Sequence, residues 1–547
     1  MADQTKTTKY LLMKTRNKIY FTLILIMVAA GCKKEAFVKA NLSPSTVYEV
    51  TPGDQFLAAA SGSQDDFEYY YDVYRSLNFW MQYATNGGTT GNSLNFTNPG
   101  NFNYRYGKIF YERVGTRLAD GIKIIENMTA EEAAKHVHEK AIMQIFKAYY
   151  AFYVSDINGS IPYTEAFQGR YGGILTPKYE AQQALFNTLD QEIKSAVTIL
   201  KTAQPVTQNM LGTNDPFFGT SANQATAWVK AGNALRLKIG MRLMKRDVAK
   251  LTTIANEVIA DPIQMSNIDD SWALYTGPSY ADANGNFNPV NFLASKPVVD
   301  FMVAKADPRL GIFYRPNTAG MYVGSFPNPD ESRLPANQPL YNTAGAISQL
   351  QHRIFTPSYD EGSGVGTGQG FYPFLTYAEY CFLRADLLAR NIVTGGGTAK
   401  EWYEKGVKAS IEYYSKRAVA AKVEGFSPVT AGEITAYLAM PGVVFDPAKA
   451  TEQIAVQAYL DFFRQPSEAW AWWKRTGFPN TTSVLPWSAL TSNGAALRLP
   501  RRASISVLPT TNLNFQNQQE AIATMAADAG FGSGPNDAFG RVWWDKP

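Results

Sequence analysis

Amphipathic helical segments recur along this sequence, and they restrict its fold more than any other feature. In the stretch ATAWVKAGNALRLKIGMRLMKRD, the apolar residues Trp228, Leu235 and Ile239 fall on one face of a helix. The segments FLTYAEYCFLRADLLARN and TAKEWYEKGVKASIEYYSKR form a helix–loop–helix pair, and Thr398 and Glu401 make a capping box at the start of the second helix. We therefore predict a mainly α fold of tetratricopeptide-like helical pairs, although the sequence has no regular repeat.

The sequence between Asp269 and Gly370 has a different character. Gly, Pro, Asn and Tyr become frequent there and helical periodicity fades, as in YTGPSYADANGNFNPVNF and EGSGVGTGQGFYP. Loops of this length inside a folded chain are usually functional or disordered. Because no Pro- or Ser-rich linker divides the chain, we predict a single helical domain over 46–547 that carries large irregular loop insertions.

The N-terminus has the features of a secretion signal. A basic patch precedes the apolar run Ile19–Ala30, which is too short to span a bilayer, and small residues follow it. Small residues directly before Cys32 resemble a bacterial lipobox, in which the cysteine becomes acylated and anchors the protein to a membrane. We predict a lipoprotein signal peptide over 1–31, a tether over 32–45 and lipidation of Cys32. The alternative is an ordinary signal peptide with an incidental cysteine.

The net charge argues against a nucleic-acid partner, and the cysteine count argues against an intramolecular disulfide. Removing residues 1–31 takes away five basic residues and one acidic residue, and the remaining chain has 46 of each. A net charge of zero offers no excess of positive charge to nucleic acid, so we predict no nucleic-acid partner. Apart from Cys32 the sequence has one cysteine, Cys381, so we expect no intramolecular disulfide.

The search for a catalytic or metal-binding motif finds little. His136 and His138 in HVHEK are two residues apart, whereas a helical zinc site needs a separation of four. The stretch DANGNFN, from Asp282 to Asn288, alternates oxygen-bearing residues like a calcium loop, but it lacks the glycine and the bidentate glutamate of an EF-hand. We predict that the protein is not an enzyme, that it needs no cofactor and that it has no metal site.

Seven segments, taken in order, resemble the SusD/RagB family of outer-membrane lipoproteins. They are VSDINGSIPYTEAF, WVKAGNALRLKIGMRL, ADPRLGIFY with MYVG downstream, YPFLTYAEYCFLRAD, QAYLDFFRQPSEAWAWWKRTGFP, LPRR and VWWDKP. The resemblance extends over essentially the whole chain after Cys32. It implies a tetratricopeptide-like helical fold and a non-catalytic role as the nutrient-binding partner of a SusC-like, TonB-dependent transporter in Bacteroidetes. The family's ligand residues lie in variable loops, so no binding residue is carried over by motif.

The expected function is therefore capture of an oligosaccharide, or of a peptide as in some family members, by a lipid-anchored protein exposed at the surface of the outer membrane. The bound molecule would then pass to the transporter. Two alternatives remain open. A membrane-anchored glycoside hydrolase would need two carboxylates facing each other in a cleft. A scaffold subunit of the transporter complex would contact protein only.

Aromatic and amide side chains in the loop-rich regions are the candidate ligand-binding residues. Sugar rings present an apolar face to aromatic side chains, while amide groups bind their hydroxyls. We predict a site formed by two regions of the chain, namely Trp80, Tyr83, Asn86, Asn95 and Phe96 in the first, and Tyr280, Phe287 and Tyr322 in the second. The dense tryptophans of EAWAWWKRTGFP are interpreted as core.

Overall fold

The computed structural model describes residues 50–63, 68–86, 102–277, 292–355 and 367–547. Thr51–Pro547 forms one compact unit, and of the other unit, Met1–Val50, only Val50 is described. The predicted signal peptide and tether, and the predicted lipidation of Cys32, lie outside the described residues. Within the described ranges, no helix has the length and apolar character needed to span a membrane.

Helices dominate the fold, as the sequence predicts. The longer α-helices are α1 (Pro52–Ser61), α2 (Gly115–Glu126), α3 (Val137–Asn158), α4 (Gln182–Lys201), α5 (Gln224–Arg242), α6 (Val248–Ala260), α7 (Lys296–Ala304), α8 (Tyr377–Ala389), α9 (Ala399–Ala420), α10 (Ala431–Leu438), α11 (Ala450–Asp461), α12 (Pro466–Thr476) and α13 (Phe515–Ala526). Shorter α-helical turns are Asn78–Trp80, Ala130–Ala133, Gly169–Gly172, Leu310–Phe313, Pro329–Arg333 and Gln338–Asn342. Glu68–Leu77 and Arg105–Val114 are π-helices.

Consecutive helices pack against one another as pairs. Helix α1 packs with α2, α3 with α4, α5 with α6, and α8 with α9. Thr376 begins α8 by accepting a hydrogen bond from the N–H of Glu379 at 3.0 Å. Thr398 and Glu401 cap α9 reciprocally, so the predicted helix pair and its capping box are confirmed. Further packing of α4 on α5 and of α8 on α11 joins the pairs into one helical body.

Tryptophan side chains fill the centre of this body. Trp228 on α5 is 0 % exposed, and the predicted apolar stripe with Leu235 and Ile239 is buried along its length. Trp470 and Trp472 on α12 are also buried, which confirms that the tryptophan-rich segment belongs to the core. On α5 the apolar side chains recur at helical spacing, and this directs one face of the helix inward.

A buried ionic cluster joins helices that are far apart in sequence. Lys238 Nζ on α5 lies 2.9 Å from Glu379 Oε1 on α8 and 3.0 Å from Glu468 Oε2 on α12. One turn later, Arg242 contacts Asp156 on α3 at 2.8 Å and Glu468 at 2.9 Å. Buried charges are tolerated when each is paired in this way, so the cluster fixes how four helices meet.

Short antiparallel strands occur between the helices, partly within the region predicted as loops. They are β1 (Ala84–Asn86), β2 (Ile161–Pro162), β3 (Tyr179–Glu180), β4 (Trp272–Thr276), β5 (Phe292–Ala294), β6 (Tyr314–Arg315), β7 (Gln349–Leu350), β8 (Gly370–Leu375), β9 (Thr491–Ser492) and β10 (Ala495–Ala496). One sheet has the order β1-β5-β7-β6, and the remaining pairs are β2–β3, β4–β8 and β9–β10. The sequence patterns missed these strands because most are only two or three residues long and, apart from the local β9–β10 hairpin, their partners are distant.

Candidate functional site

Strand pairing brings the two predicted ligand-binding regions together. Strands β1 and β5 are antiparallel, with Ala84 opposite Ala294 and Asn86 opposite Phe292. The chain leaves β1 after Asn86, where segment 87–101 begins, and it enters β5 at Phe292, where segment 278–291 ends. Both loop-rich segments therefore join the sheet at the same end of one strand pair. We call this end, formed by Asn86 and Phe292, the loop-bearing end.

A second strand pair adds a third loop-rich segment to the arrangement. Strands β4 and β8 are antiparallel, and Thr276 lies opposite Gly370. Segment 278–291 follows β4 and segment 356–366 precedes β8, so these two also meet at the end of a strand pair. The aromatic, Asn-rich and Gly-rich stretches of the chain thus connect to the described structure at the ends of two strand pairs, and segment 278–291 links these pairs.

The residues that lead into β1 are held tightly by the helical body. The Tyr83 ring stacks on the Tyr459 ring with centroids 4.4 Å apart and planes 8° from parallel, and the Tyr83 hydroxyl donates to the Tyr459 carbonyl. In return, the Tyr459 hydroxyl donates to the carbonyl of Met81 at 2.6 Å. Gln82 exchanges two hydrogen bonds with the backbone of Ser488, each of 3.0 Å. These contacts fix the position and direction of β1.

Trp80 and Tyr83, which the sequence predicts as ligand contacts, are instead buried in the core. Both are 0 % exposed, and the Trp80 ring lies 4.9 Å from the Phe102 ring and 5.4 Å from the Trp470 ring. Neither side chain has surface that a ligand can contact in the described structure. Their physical role is to anchor the loop-bearing end to the core, since aromatic rings pack in cores and in sugar sites alike.

The other predicted residues divide into two groups. Asn86 ends β1, and Tyr322 is half-buried and precedes Ser325, which pairs in parallel with Ser295 just after β5. Burial raises the pKa of the Tyr322 hydroxyl, so this side chain is neutral at physiological pH. The predicted residues that lie outside the described ranges are Asn95, Phe96, Tyr280 and Phe287.

The far end of segment 87–101 is fixed by a residue that sequence reasoning missed. Asp72 accepts hydrogen bonds from the N–H groups of Asn103 at 2.9 Å, Tyr104 at 3.4 Å and Arg105 at 3.5 Å. Burial raises the pKa of Asp72 to about 6, although Arg105 and these N–H groups oppose the shift. The guanidinium of Arg105 lies 3.8 Å from the centre of the Tyr153 ring. Asp72 stands 31 residues before Asn103, so no local pattern connects the two.

The two buried glutamates that lie closest to Lys238 are part of the helical core. Glu379 and Glu468 both contact Lys238, but they are 0 % and 6 % exposed and belong to the ionic cluster that joins the helices. Burial raises the pKa of Glu379 to about 8, and the adjacent Glu468 carboxylate adds to this shift. Over the ranges that the structure describes, no group of three or more His, Cys, Asp or Glu side chains is arranged to hold a metal ion.

Comparison with known proteins identifies the family and the fold. A SusD-like family model, described as starch-binding associating with outer membrane, matches residues 45–503, which is more than half of the chain. No curated protein matches.

Solved structures agree with the family match. The chain is similar to a chitin-binding protein with a TM-score of 0.70 and 21% identity, over 91% of this chain and 100% of that one. A SusD homologue from Bacteroides fragilis has a TM-score of 0.66, 23% identity and the same coverage. A chitin-binding SusD homologue from Flavobacterium johnsoniae has a TM-score of 0.63 and 19% identity, over 90% of this chain and 98% of that one. Similarity at these identities establishes the fold.

Proposed function

The chain belongs to the SusD-like family, and from this membership we propose that it binds oligosaccharides at the outer membrane and passes them to a TonB-dependent transporter. The family's role is binding rather than catalysis. A mainly helical body whose loop-rich segments begin and end at paired strands is suited to that role, because loops on a rigid scaffold can vary in sequence without altering the core.

The observation that carries this proposal is the pairing of Asn86 with Phe292. It joins two segments that are rich in Asn, Gly and aromatic residues, although almost 200 positions separate them in the sequence. Saccharide sites combine a few aromatic faces with amide groups that bind hydroxyls. Phe96, Asn95, Tyr280 and Phe287 remain the predicted contacts, and the buried Trp80 and Tyr83 anchor the chain that leads into β1.

The proposed ligands are neutral glycans of the starch or chitin type. The matched family model is described as starch-binding, and two of the similar structures are chitin-binding proteins. Peptides are the second class to test, because the resemblance described above includes peptide-binding members. The zero net charge of residues 32–547 agrees with an uncharged ligand.

Membrane attachment through Cys32 and a SusC-like partner complete the proposal. Acyl chains gain about 0.8 kcal/mol for each buried methylene, so a multiply acylated cysteine holds a protein stably at a bilayer. A tether over 32–45 would leave the folded unit free to meet a transporter in the same membrane.

Calorimetry of residues 33–547 tests the binding role. The titrants are maltohexaose, chitohexaose and a mixture of short peptides, and the variants are Phe96→Ala with Tyr280→Ala, and Trp402→Ala as a control. Trp402 is a half-buried aromatic residue on α9, outside the loop-rich segments. We expect saturable binding of a hexaose, lost in the double variant and kept in the control.

Other outcomes would overturn the proposal. Hydrolysis of a chromogenic glycoside would favour the enzyme. Failure of all titrants to bind, together with stable co-purification with an outer-membrane protein, would favour the scaffold.

A further inference from the structure

A cavity of about 470 Å³ has a lining that includes neither Asn86 nor Phe292 of the loop-bearing end, although Phe102 and Asn103 in its wall directly follow segment 87–101. Its walls come from five parts of the chain: the residues around the start of the π-helix Arg105–Val114, the end of α3, strand β3, the segment 504–506 and helix α13. A cavity of this volume falls in the range of small-molecule sites.

Long-range hydrogen bonds hold the walls of this cavity in place. Ala503 N–H donates to the Ile157 carbonyl at 3.0 Å, which joins the segment before 504–506 to the end of α3. Gln518 on α13 donates to the Ser506 carbonyl at 3.0 Å and accepts from Leu508 N–H at 2.7 Å. Asp72 fixes the opposite wall through the backbone of residues 103–105. A site built in this way is preorganised, so little order is lost when a ligand enters.

The strongest sign of a ligand is the side chain of Asn158. This residue ends α3, lines the cavity and is only 5 % exposed. Its Oδ1 atom is buried and has no hydrogen-bond partner among the described residues, and the same holds for Oδ1 of Asn103 on the facing wall. Buried acceptors are nearly always satisfied in folded proteins. A ligand with O–H or N–H donors would supply the partner that each of these two carbonyl oxygens lacks.

The rest of the lining indicates a neutral ligand with an apolar face. Tyr106 and Tyr179 are half-buried here, and burial raises the pKa of the Tyr179 hydroxyl although hydrogen bonding with Tyr106 and Gln518 opposes the shift. Among the described residues that line the cavity, Lys108 at the exposed rim is the only one that carries a charge at neutral pH. Ile505, Ile522 and Met525 supply apolar surface. Hydroxyl donors combined with apolar ring faces are the chemistry of a saccharide.

We propose that this cavity is a separate binding site for one or two neutral sugar rings, with Asn158 Oδ1 and Asn103 Oδ1 accepting hydrogen bonds from sugar hydroxyl or acetamido groups. A smaller cavity of about 180 Å³ shares Ser160, Tyr179 and Ala521 with the main one. It gives a second ring a place on the other side of Tyr179. The ligand is either a free disaccharide or the end of a longer chain, because both present the same groups.

Substitutions on α13 and α3 test the site without touching the loop-bearing end. Ala521→Phe places a ring in the cavity, and Ala523→Phe is the matched control, since residue 523 is exposed on the same helix and does not line either cavity. Asn158→Leu removes the unsatisfied acceptor at nearly constant volume. Circular dichroism and thermal unfolding establish that each variant is folded.

Calorimetry with maltose, cellobiose and N,N′-diacetylchitobiose gives the readout on residues 33–547. We expect at least one disaccharide to bind with a Kd of about 1 mM or lower. Binding should weaken by about tenfold or more in Ala521→Phe and in Asn158→Leu, and stay unchanged in Ala523→Phe and in the Phe96→Ala, Tyr280→Ala double variant. Competition by the matching hexaose would identify the end of a chain as the ligand, and its absence would identify the free disaccharide.

Two results would overturn this proposal. One is that none of the disaccharides binds the wild-type protein, whatever the outcome with hexaoses at the loop-bearing end. The other is that disaccharide binding persists in both Ala521→Phe and Asn158→Leu. Because the loop variant and the cavity variants alter different residues and are titrated with different ligands, failure of the proposed function and failure of the cavity site give different patterns.

Discussion

Replacement of Trp80 by alanine tests whether the residues before β1 support the ligand site or contact the ligand. The Trp80 side chain is 0 % exposed and packs in a three-ring cluster with Phe102 and Trp470, at centroid distances of 4.9 and 5.4 Å. Truncation of a buried tryptophan to alanine costs about 3–5 kcal/mol, because packing contacts are lost and a cavity remains. We expect Trp80→Ala to lower the free energy of unfolding by about this amount.

Urea unfolding followed by circular dichroism measures this loss, and calorimetry with a bound saccharide measures the affinity of the folded protein. Trp80→Phe keeps an aromatic ring beside Phe102 and Trp470, so it should recover most of the stability and bind with wild-type affinity. The opposite pattern would refute the argument from burial. An unchanged unfolding midpoint in Trp80→Ala, with saccharide affinity reduced by about tenfold, would make Trp80 a ligand contact.

Three further predictions concern the core and the anchor. Burial raises the pKa of Asp461 from 3.8 to about 6, so the folded state binds more protons between these values, and the stabilisation present below pH 3.8 is lost as pH rises through 6. Asp461→Asn should remove this pH dependence, which amounts to roughly 3 kcal/mol in urea unfolding at different pH values. Glu468→Ala leaves Lys238 and Arg242 without a shared partner and should cost about 3–5 kcal/mol, whereas Glu412→Ala, in an exposed pair, should cost less than about 1 kcal/mol. Cys32→Ser should move the protein from the membrane fraction to the soluble fraction.

Local sequence patterns predicted the helices well. The apolar spacing along α5, the cap formed by Thr398 and Glu401, and the buried tryptophans of α12 depend on residues within a few positions of one another. Such features follow from helix geometry alone. The same reasoning located the two loop-rich regions by composition, before any strand pairing was known.

Contacts between residues far apart in the sequence determine the roles of several charged residues, and local sequence patterns could not predict these roles. The local sequence around Lys238 on α5 predicts a solvent-exposed cation. In the structure Lys238 is buried and paired with Glu379 and Glu468, because a buried charge is stable only with its partners. Asp72 accepts a hydrogen bond from the backbone N–H of Asn103, and this role depends on the fold bringing Asn103 next to it. The residues next to Lys238 and Asp72 in the sequence do not distinguish either of them from an exposed charged residue.

The same limit explains why aromatic residues at the proposed site could not be ranked from the sequence. Tyr83 stacks on Tyr459 across 376 positions, and this pairing turns a tyrosine next to a loop into a core residue. The pairing of Asn86 with Phe292 acts on the loops and not on the core. It places the ends of two loop-rich segments side by side, although these segments are far apart in the sequence. The orphaned Oδ1 of Asn158 is a third case, because an asparagine at the end of α3 indicates a ligand only when its surroundings supply no partner. Both proposed sites are therefore formed by segments that are distant in the sequence, and variants at Phe96, Tyr280 and Asn158 test whether these residues bind a ligand.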